Sequence, residues 1–151
     1  MDYTDAMAKA IQLARAAVMA SGDVPVGAVI LDGNNEVIST GVNQRELTKN
    51  PVAHAEIVAI EKAASAVGNW RLDNCTLVVT LEPCAMCAGA IAQSRISRVV
   101  FGAWDEKAGA VGSQWDILRD PRQLNKPEVI AGVMSKECAE LLSEFFIDKR
   151  Q

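Results

Sequence analysis

The sequence lacks a long hydrophobic run and a basic N-terminal segment. None of its 151 residues belongs to a stretch of about 18 apolar residues, the length that a membrane-spanning helix needs. The first five residues, MDYTD, are acidic, whereas a secretory signal peptide begins with basic residues. We therefore expect a cytoplasmic protein with no membrane segment.

Positive charge and histidine are also scarce. The formal net charge is -4 and the pI is about 5.0, whereas a nucleic-acid-binding domain often has a pI above about 9. Composition by itself therefore argues against an RNA partner. The chain contains 1 histidine, His54, so any histidine chemistry depends on that one side chain.

The 4 cysteines do not predict a disulfide framework. Disulfides are rare in the reducing cytoplasm, so a close pair of cysteines there indicates a metal-binding or redox site. Cys84 and Cys87 form such a pair, whereas Cys75 and Cys138 have no nearby partner in sequence and are predicted to be core thiols.

The remaining composition is that of an ordinary globular protein, with 50% hydrophobic residues, and the length predicts one domain spanning residues 1–151. Apolar residues spaced three and four apart predict helices. These helices cover residues 4–20, 53–67, 83–94 and 137–148. Thr4 is expected to cap the first helix. The residues expected to face inward are Ile57, Ile60 and Ala64 in the second helix, and Leu141, Leu142, Phe145 and Phe146 in the last.

The strands are predicted from apolar runs bounded by turn residues. They cover residues 26–31, 36–40, 75–81, 99–101 and 128–131, and the first two form a hairpin around the turn at 32–35. The run at 75–81 is continuously apolar, which indicates a central strand covered on both faces. Helices alternating with buried strands predict an α/β fold with a mixed sheet between two helical layers.

Two short motifs carry the chemistry. His54 stands two residues before Glu56 at the start of a predicted helix. Residues at i and i+2 do not share a helix face, so both can approach one ion only if they project from the N-terminal end of that helix. Cys84 and Cys87 follow a buried strand and open the next helix, where the helix dipole favours the thiolate form that binds zinc.

Together the motifs predict one catalytic Zn²⁺ per chain. His54, Cys84 and Cys87 supply three ligands, and a tetrahedral zinc ion then keeps its fourth position for water. Zinc lowers the pKa of that water toward about 7. Glu56 is placed to take the released proton and pass it to the substrate, acting as both base and acid while an amino group leaves as ammonia.

Two alternatives stay open at this point. A Cys-x-x-Cys pair at a strand-to-helix junction is also typical of thioredoxin-like redox sites, although that interpretation leaves His54 and Glu56 unexplained. The second alternative is a closed structural zinc site with Cys75 or Cys138 as fourth ligand. Structural ligands usually arrive as two close pairs, and neither of these cysteines has a near neighbour.

His-x-Glu with Pro-Cys-x-x-Cys is the signature of the zinc-dependent nucleobase deaminases. Beyond the signature, the chain resembles the bacterial tRNA-specific adenosine deaminases along nearly its whole length. The segments that carry the resemblance are VPVGAV at 24–29, GVN at 41–43, AHAEI at 53–57, TLEPCAMCAGA at 80–90, FGA at 101–103, DEKAGAVGS at 105–113 and LLSEFF at 141–146.

The resemblance implies a cytidine deaminase-like three-layer α/β/α fold with about five strands. It also implies a homodimer that binds the anticodon loop of an arginine tRNA and converts the wobble adenosine to inosine. Asn43 and Ala55 match residues that bind the flipped adenine, and Asp105 and Lys107 match a loop that contacts neighbouring nucleotides. Glu82 is assigned only a supporting hydrogen bond.

The residues alone leave simpler roles open for some of these positions. Asn43 is equally placed to be a turn residue after a strand, and Asp105 with Lys107 to be a solvated charge pair. A free-base or nucleoside deaminase acting on guanine, cytosine or cytidine is the closest rival function, because the same zinc and glutamate serve all of these reactions. A binding module with structural zinc is a further alternative.

The sequence departs from the resemblance in its RNA-contacting features. Trp104 stands where a smaller or basic residue is expected, which favours base stacking at that point. The segment at 147–151 is short and weakly basic. A local basic patch could offset the acidic net charge, and its candidates are Arg71, Arg95, Arg98, Lys107, Arg119 and Arg122. An unpaired loop needs less positive charge than a duplex does.

Overall fold

A computed structural model describes the backbone of residues 2–150 and the side chains of residues 2–147. Strands and helices alternate as predicted, with one addition, the single-turn helix α2. In chain order the elements are α1 (Thr4–Ser21), β1 (Gly27–Leu31), β2 (Val37–Val42), α2 (Arg45–Thr48), α3 (Ala55–Val67), β3 (Thr76–Leu81), α4 (Ala85–Gln93), β4 (Arg98–Ala103), β5 (Glu128–Ala131) and α5 (Ser135–Arg150). None of the described helices is long and apolar enough to span a bilayer.

The five strands form one mixed sheet in the order β2-β1-β3-β4-β5. Strand β1 is antiparallel to both neighbours, with Val29 opposite Thr40 on one side and Val78 on the other. Strands β3, β4 and β5 are parallel. The prediction that β3 is central and covered on both faces is confirmed, since its first five residues are buried.

Alternate side chains of the central strands point to opposite faces of the sheet. Leu77, Val79 and Phe101 pack with α3 and α4 on one face. Val78 and Val100 pack with α1 and α5 on the other. The three-layer α/β/α arrangement expected from the sequence is therefore confirmed, and it places the N-terminal ends of α3 and α4 on the same side of the sheet.

The structure corrects two predictions at the chain's ends. Thr4 does not cap α1, because the cap position is Tyr3, and the Thr4 amide and hydroxyl instead donate to Asp2 Oδ1 at 2.8 and 2.5 Å. In α5, Leu141 is buried, but Phe146 is 47% exposed. Leu141 lies one helical turn after Cys138, and both residues face the sheet. Phe146 lies on a different face of the helix, which is turned toward solvent.

The buried face of α3 also differs from the prediction. Its most buried residues are the small side chains Ala55, Val58, Ala59 and Ala63 together with Glu56, while Ile57, Ile60 and Ala64 are half-buried. The reason is a close approach between α3 and β2. A Cβ at Gly41 would collide with the Ala55 carbonyl oxygen, so glycine lets the start of α3 lie directly on the strand.

Candidate metal centre and active site

Two helix N-termini converge on one site. His54 is the N-cap residue of α3 and Cys84 is the N-cap residue of α4, and both have extended backbone angles just before their helices begin. Neither side chain hydrogen-bonds to its own helix, and the His54 ring instead contacts the thiols at the start of α4. This is the geometry that the His54 and Glu56 spacing requires for a shared ion.

The three predicted ligand atoms lie at zinc-binding separations. His54 Nδ1 lies 3.6 Å from Cys84 Sγ and 3.5 Å from Cys87 Sγ, and the three atoms all fall within 4.8 Å of one another. A tetrahedral ion with Zn–S of about 2.3 Å and Zn–N of about 2.0 Å holds such atoms roughly 3.5–3.8 Å apart. The cluster therefore fits one Zn²⁺, and the described side chains include no second group of this kind.

The side chains of His54, Cys84 and Cys87 shift one another's pKa values. Hydrogen bonds from Cys87 and His54 lower the pKa of Cys84 to about 4. The hydrogen bond to Cys84 and burial raise the pKa of Cys87, and the hydrogen bond to Cys84 raises that of His54. One thiolate forms readily and the second needs a neighbouring cation, so metal binding is expected to displace protons from this group.

The other two cysteines lie apart from this cluster. Cys75 packs in the core beneath α3 and α4, and Cys138 packs in the core beneath α1 and α5. Burial raises the pKa of Cys138 to about 12 and also raises that of Cys75. Their assignment as core thiols is confirmed, and the hypothesis of a closed structural zinc site with either as fourth ligand is wrong.

Glu56 lies in the first turn of α3 and is 4% exposed. Burial raises the pKa of its carboxyl group to about 7, with hydrogen bonding and the nearby His54 acting in the opposite direction. A carboxyl group with a pKa near neutrality exchanges its proton readily, which is the property that a residue acting as both acid and base needs.

A pocket of ≈ 170 Å³ opens beside Glu56 and the ligand cluster. His54, Cys84 and Glu56 line it, and so do three further residues singled out from the sequence, namely Asn43, Ala55 and Asp105. Lys107 is exposed on the same loop as Asp105 but does not line the pocket. The roles of these four residues in substrate binding stay predictions.

The side chains of Asn43 and Asp105 are fixed by local hydrogen bonds. Asn43 Nδ2 donates to the Val24 carbonyl at 3.3 Å, and Oδ1 accepts from the Arg45 amide at 3.2 Å, so Asn43 forms a turn as well as lining the pocket. Asp105 Oδ1 accepts from the amides of Lys107 and Ala108 at 3.1 and 3.2 Å. The Asp105 carboxylate therefore organises its own loop, and no described ion pair joins it to the Lys107 ammonium group.

Residues 1–103 match the family described as the cytidine and deoxycytidylate deaminase zinc-binding region. The chain belongs to this family. A zinc-binding deaminase domain with both thiols facing His54 also rules out the thioredoxin-like interpretation of Cys84 and Cys87.

Individual members of the family are similar over most of the chain. A relative from Bacillus subtilis (strain 168), named tRNA-specific adenosine deaminase, is 46% identical over 86% of this chain and 80% of its own length. A structure from a study of A-to-I editing by tRNA:A34 deaminases is 41% identical, with a TM-score of 0.84 over 88% of this chain and 95% of the other. A guanine deaminase from Bacillus subtilis is 30% identical, with a TM-score of 0.67 over 100% and 96% of the two chains.

Two charged residues of this deaminase domain's pocket were not assigned to it from the sequence. Arg45 lines the rim two residues after Asn43, and Glu82 lines the wall just before Pro83. Arg45 falls in the unpredicted helix α2, so no predicted element indicated its position. The segment TLEPC contains Glu82, but nothing local in the sequence shows what its carboxylate binds.

The expected basic patch is weakened by ion pairs within the chain. Four of its six candidate residues are paired, as Arg71–Asp73 at 3.0 Å, Arg98–Glu128 at 2.8 Å, Arg119–Asp116 at 2.8 Å and Arg122–Asp120 at 2.6 Å. Trp104 is 50% exposed, and its ring lies roughly perpendicular to that of Phe101 with the ring centroids 4.9 Å apart. Stacking of a base on the exposed part of Trp104 stays a prediction.

Proposed function

We propose that this chain is a tRNA adenosine deaminase that converts the wobble adenosine of an arginine tRNA anticodon to inosine and releases ammonia. The observation that carries the proposal is a base-sized pocket where Glu56 meets a His-Cys-Cys cluster, in a chain 46% identical to a relative named for that activity. A homodimeric state, a cytoplasmic location and a single domain over residues 1–151 belong to the same proposal.

In this proposal His54, Cys84 and Cys87 hold the zinc ion. When bound there, Zn²⁺ supplies the Lewis acidity that lets water lose a proton near neutral pH. Glu56 accepts that proton at its carboxylate and delivers it to a nitrogen of the purine ring. Once the oxygen has bonded to the ring carbon, Glu56 takes the second proton from that oxygen and delivers it to the amino group, which leaves as ammonia. Water thereby replaces the amino group at the ring carbon, and one proton carrier serves both halves of the reaction.

The pocket size favours a single base rather than a larger small molecule. Its ≈ 170 Å³ is below the range of about 300–1,000 Å³ that is usual for drug-sized ligands. An adenine turned out of its stack occupies such a pocket while the rest of the polynucleotide lies outside. Asn43 and Ala55 then contact the base, and Asp105 and Lys107 lie where the neighbouring nucleotides leave the pocket.

The acidic net charge is compatible with this substrate. Arg45 lines the pocket rim and forms no ion pair with a described carboxylate, in contrast to the arginines at 15, 71, 98, 119 and 122. A free guanidinium at the mouth of the pocket is available to a phosphate of the bound strand. Recognition of an unpaired loop through such local contacts does not require a basic surface.

The proposal is tested by offering the zinc-loaded protein an anticodon stem-loop RNA with adenosine at the wobble position. Free adenosine, cytidine and guanine are assayed in parallel, and inosine and ammonia are measured. We expect equal amounts of inosine and ammonia from the stem-loop, little turnover of the free compounds, and one zinc per chain with Cys84 and Cys87 protected from thiol reagents. Turnover of a free base without turnover of the stem-loop would overturn the proposal.

A guanine deaminase is the second candidate, and the similarity to the Bacillus subtilis guanine deaminase supports it. The lower identity, 30% against 46%, and the lower TM-score, 0.67 against 0.84, favour the tRNA substrate. Ammonia release from guanine in the same assay decides between the two functions.

A further inference from the structure

Glu82 is a buried carboxylate for which the deamination chemistry has no use. It is 2% exposed and stands between the end of β3 and the start of α4. Oε1 accepts from the Asp105 amide at 3.0 Å and from the Ser113 hydroxyl. Oε2 accepts from the amides of Val111 and Ser113, each at 3.0 Å. All four donors belong to one loop, residues 105–113.

The same loop forms part of the pocket wall. Asp105 and Ala108 line the pocket, and the loop's first turn is closed by Asp105 itself. Gly109 packs so tightly on Glu82 that a Cβ at this position would collide with the carboxyl group. The position of Asp105 beside the pocket is therefore tied to the position of the Glu82 carboxylate.

A carboxylate at this place satisfies backbone groups that have no strand partner. The amides of Asp105, Val111 and Ser113 would otherwise need acceptors within a loop that runs outside the sheet. Burying a charged group is costly unless it is fully hydrogen-bonded, and the four donors from one loop meet that condition. The loop and the carboxylate thus stabilise one another in a single arrangement.

We infer that Glu82 is a positioning residue: through Ser113 and the amides of residues 105–113 it holds the pocket wall in place and thereby sets substrate affinity. This inference rests on the proposed function, because the affinity concerned is that for the stem-loop RNA. It predicts a change in KM with little change in kcat, since Glu56 and the three predicted ligands lie in or directly before α3 and α4 and not on the loop.

The experiment uses the full, zinc-loaded chain and weakens the arrangement at Ser113 rather than at the buried glutamate. Ser113→Ala removes one of the four donors, Ser113→Thr keeps the hydroxyl, and Ser97→Ala removes a hydroxyl that accepts from the Asn74 amide at 2.9 Å in a different loop. Three quantities are measured for each variant: the zinc content, the KM and kcat for the stem-loop, and the rate of tryptic cleavage after Lys107.

We expect Ser113→Ala to raise KM and the cleavage rate by about tenfold each, the effect of losing one hydrogen bond to a charged group, with kcat and zinc content unchanged. Ser113→Thr and Ser97→Ala should match the parent protein. Unchanged KM and cleavage in Ser113→Ala, or a loss of kcat without a change in KM, would overturn the inference. Absence of stem-loop turnover in the parent protein would instead overturn the proposed function, and the cleavage rates would still show whether Glu82 holds the loop.

Discussion

Glu56 and Glu82 are two glutamates in one pocket with nearly the same burial, 4% and 2% exposed, and opposite surroundings. Glu82 accepts four hydrogen bonds from one loop. Glu56 lies beside the cluster of His54, Cys84 and Cys87. There burial outweighs hydrogen bonding and raises the pKa of the Glu56 carboxyl group to about 7. A buried carboxylate that accepts enough hydrogen bonds holds the surrounding structure in place. A buried carboxyl group that lacks such hydrogen bonds has a raised pKa and exchanges its proton near neutral pH.

The same substitution at the two positions should therefore have different consequences. Replacing either residue by glutamine keeps the side-chain volume and removes the ionisable group. At Glu56 this removes the proton carrier, and at Glu82 it turns an NH₂ group toward hydrogen-bond donors.

Glu56→Gln should lower kcat for the stem-loop by about 10²–10⁴, the usual contribution of general acid–base catalysis. Its melting temperature should not fall, because a neutral amide is less costly to bury than a carboxylate. Steady-state kinetics, zinc analysis and thermal melting check this. Glu61→Gln, an exposed position on the same helix, is the matched control. A kcat within a few-fold of the parent value would show that Glu56 does not carry the proton.

Glu82→Gln should lower the free energy of unfolding by about 2–4 kcal/mol, because the amide NH₂ leaves two of the four loop donors without an acceptor. Chemical denaturation measures this change. Glu106→Gln, an exposed position in the same loop, controls for charge. If Glu82→Gln were as stable as the parent, the four hydrogen bonds would contribute little and the contrast between the two glutamates would disappear.

The features that local sequence patterns determine were predicted correctly. The strand at 75–81 and the helix starts near His54 and Cys84 follow from apolar runs and from short flanking motifs. Both features depend on residues close together in the chain, so hydrophobic periodicity and cap positions are sufficient evidence. The clustering of His54 with Cys84 and Cys87, 30 and 33 positions away, was instead expected from the chemistry that a shared zinc ion requires.

Other features that depend on distant residues could not be predicted. The donors to Glu82 are 23 to 31 positions away, and no periodicity connects them to it. The ion pair Arg98–Glu128 exists because β4 and β5 align these residues as direct partners, so the number of free cations could not be counted from the sequence. The face of α3 was predicted only in part: Ile60 packs against the core, but the close approach at Gly41 places the small residues Ala55 and Ala59 at the most buried positions.

The contact between Gly109 and Glu82 provides the most local test of the comparison. Gly109→Ala places a methyl group against the Glu82 carboxyl and 2.5 Å from the Asp105 carbonyl oxygen, so the loop must shift to accommodate it. Overpacking of this kind usually costs about 1–3 kcal/mol, which denaturation experiments resolve. Gly33→Ala is the control, because its nearest neighbour, Asn74 Cβ, lies at an ordinary 3.5 Å.

The cost of Gly109→Ala should also be smaller when Glu82 is already glutamine, since the arrangement that the methyl group disrupts is then already weakened. Equal costs in both backgrounds would mean that Gly109 and Glu82 act independently and that the loop is held by other contacts.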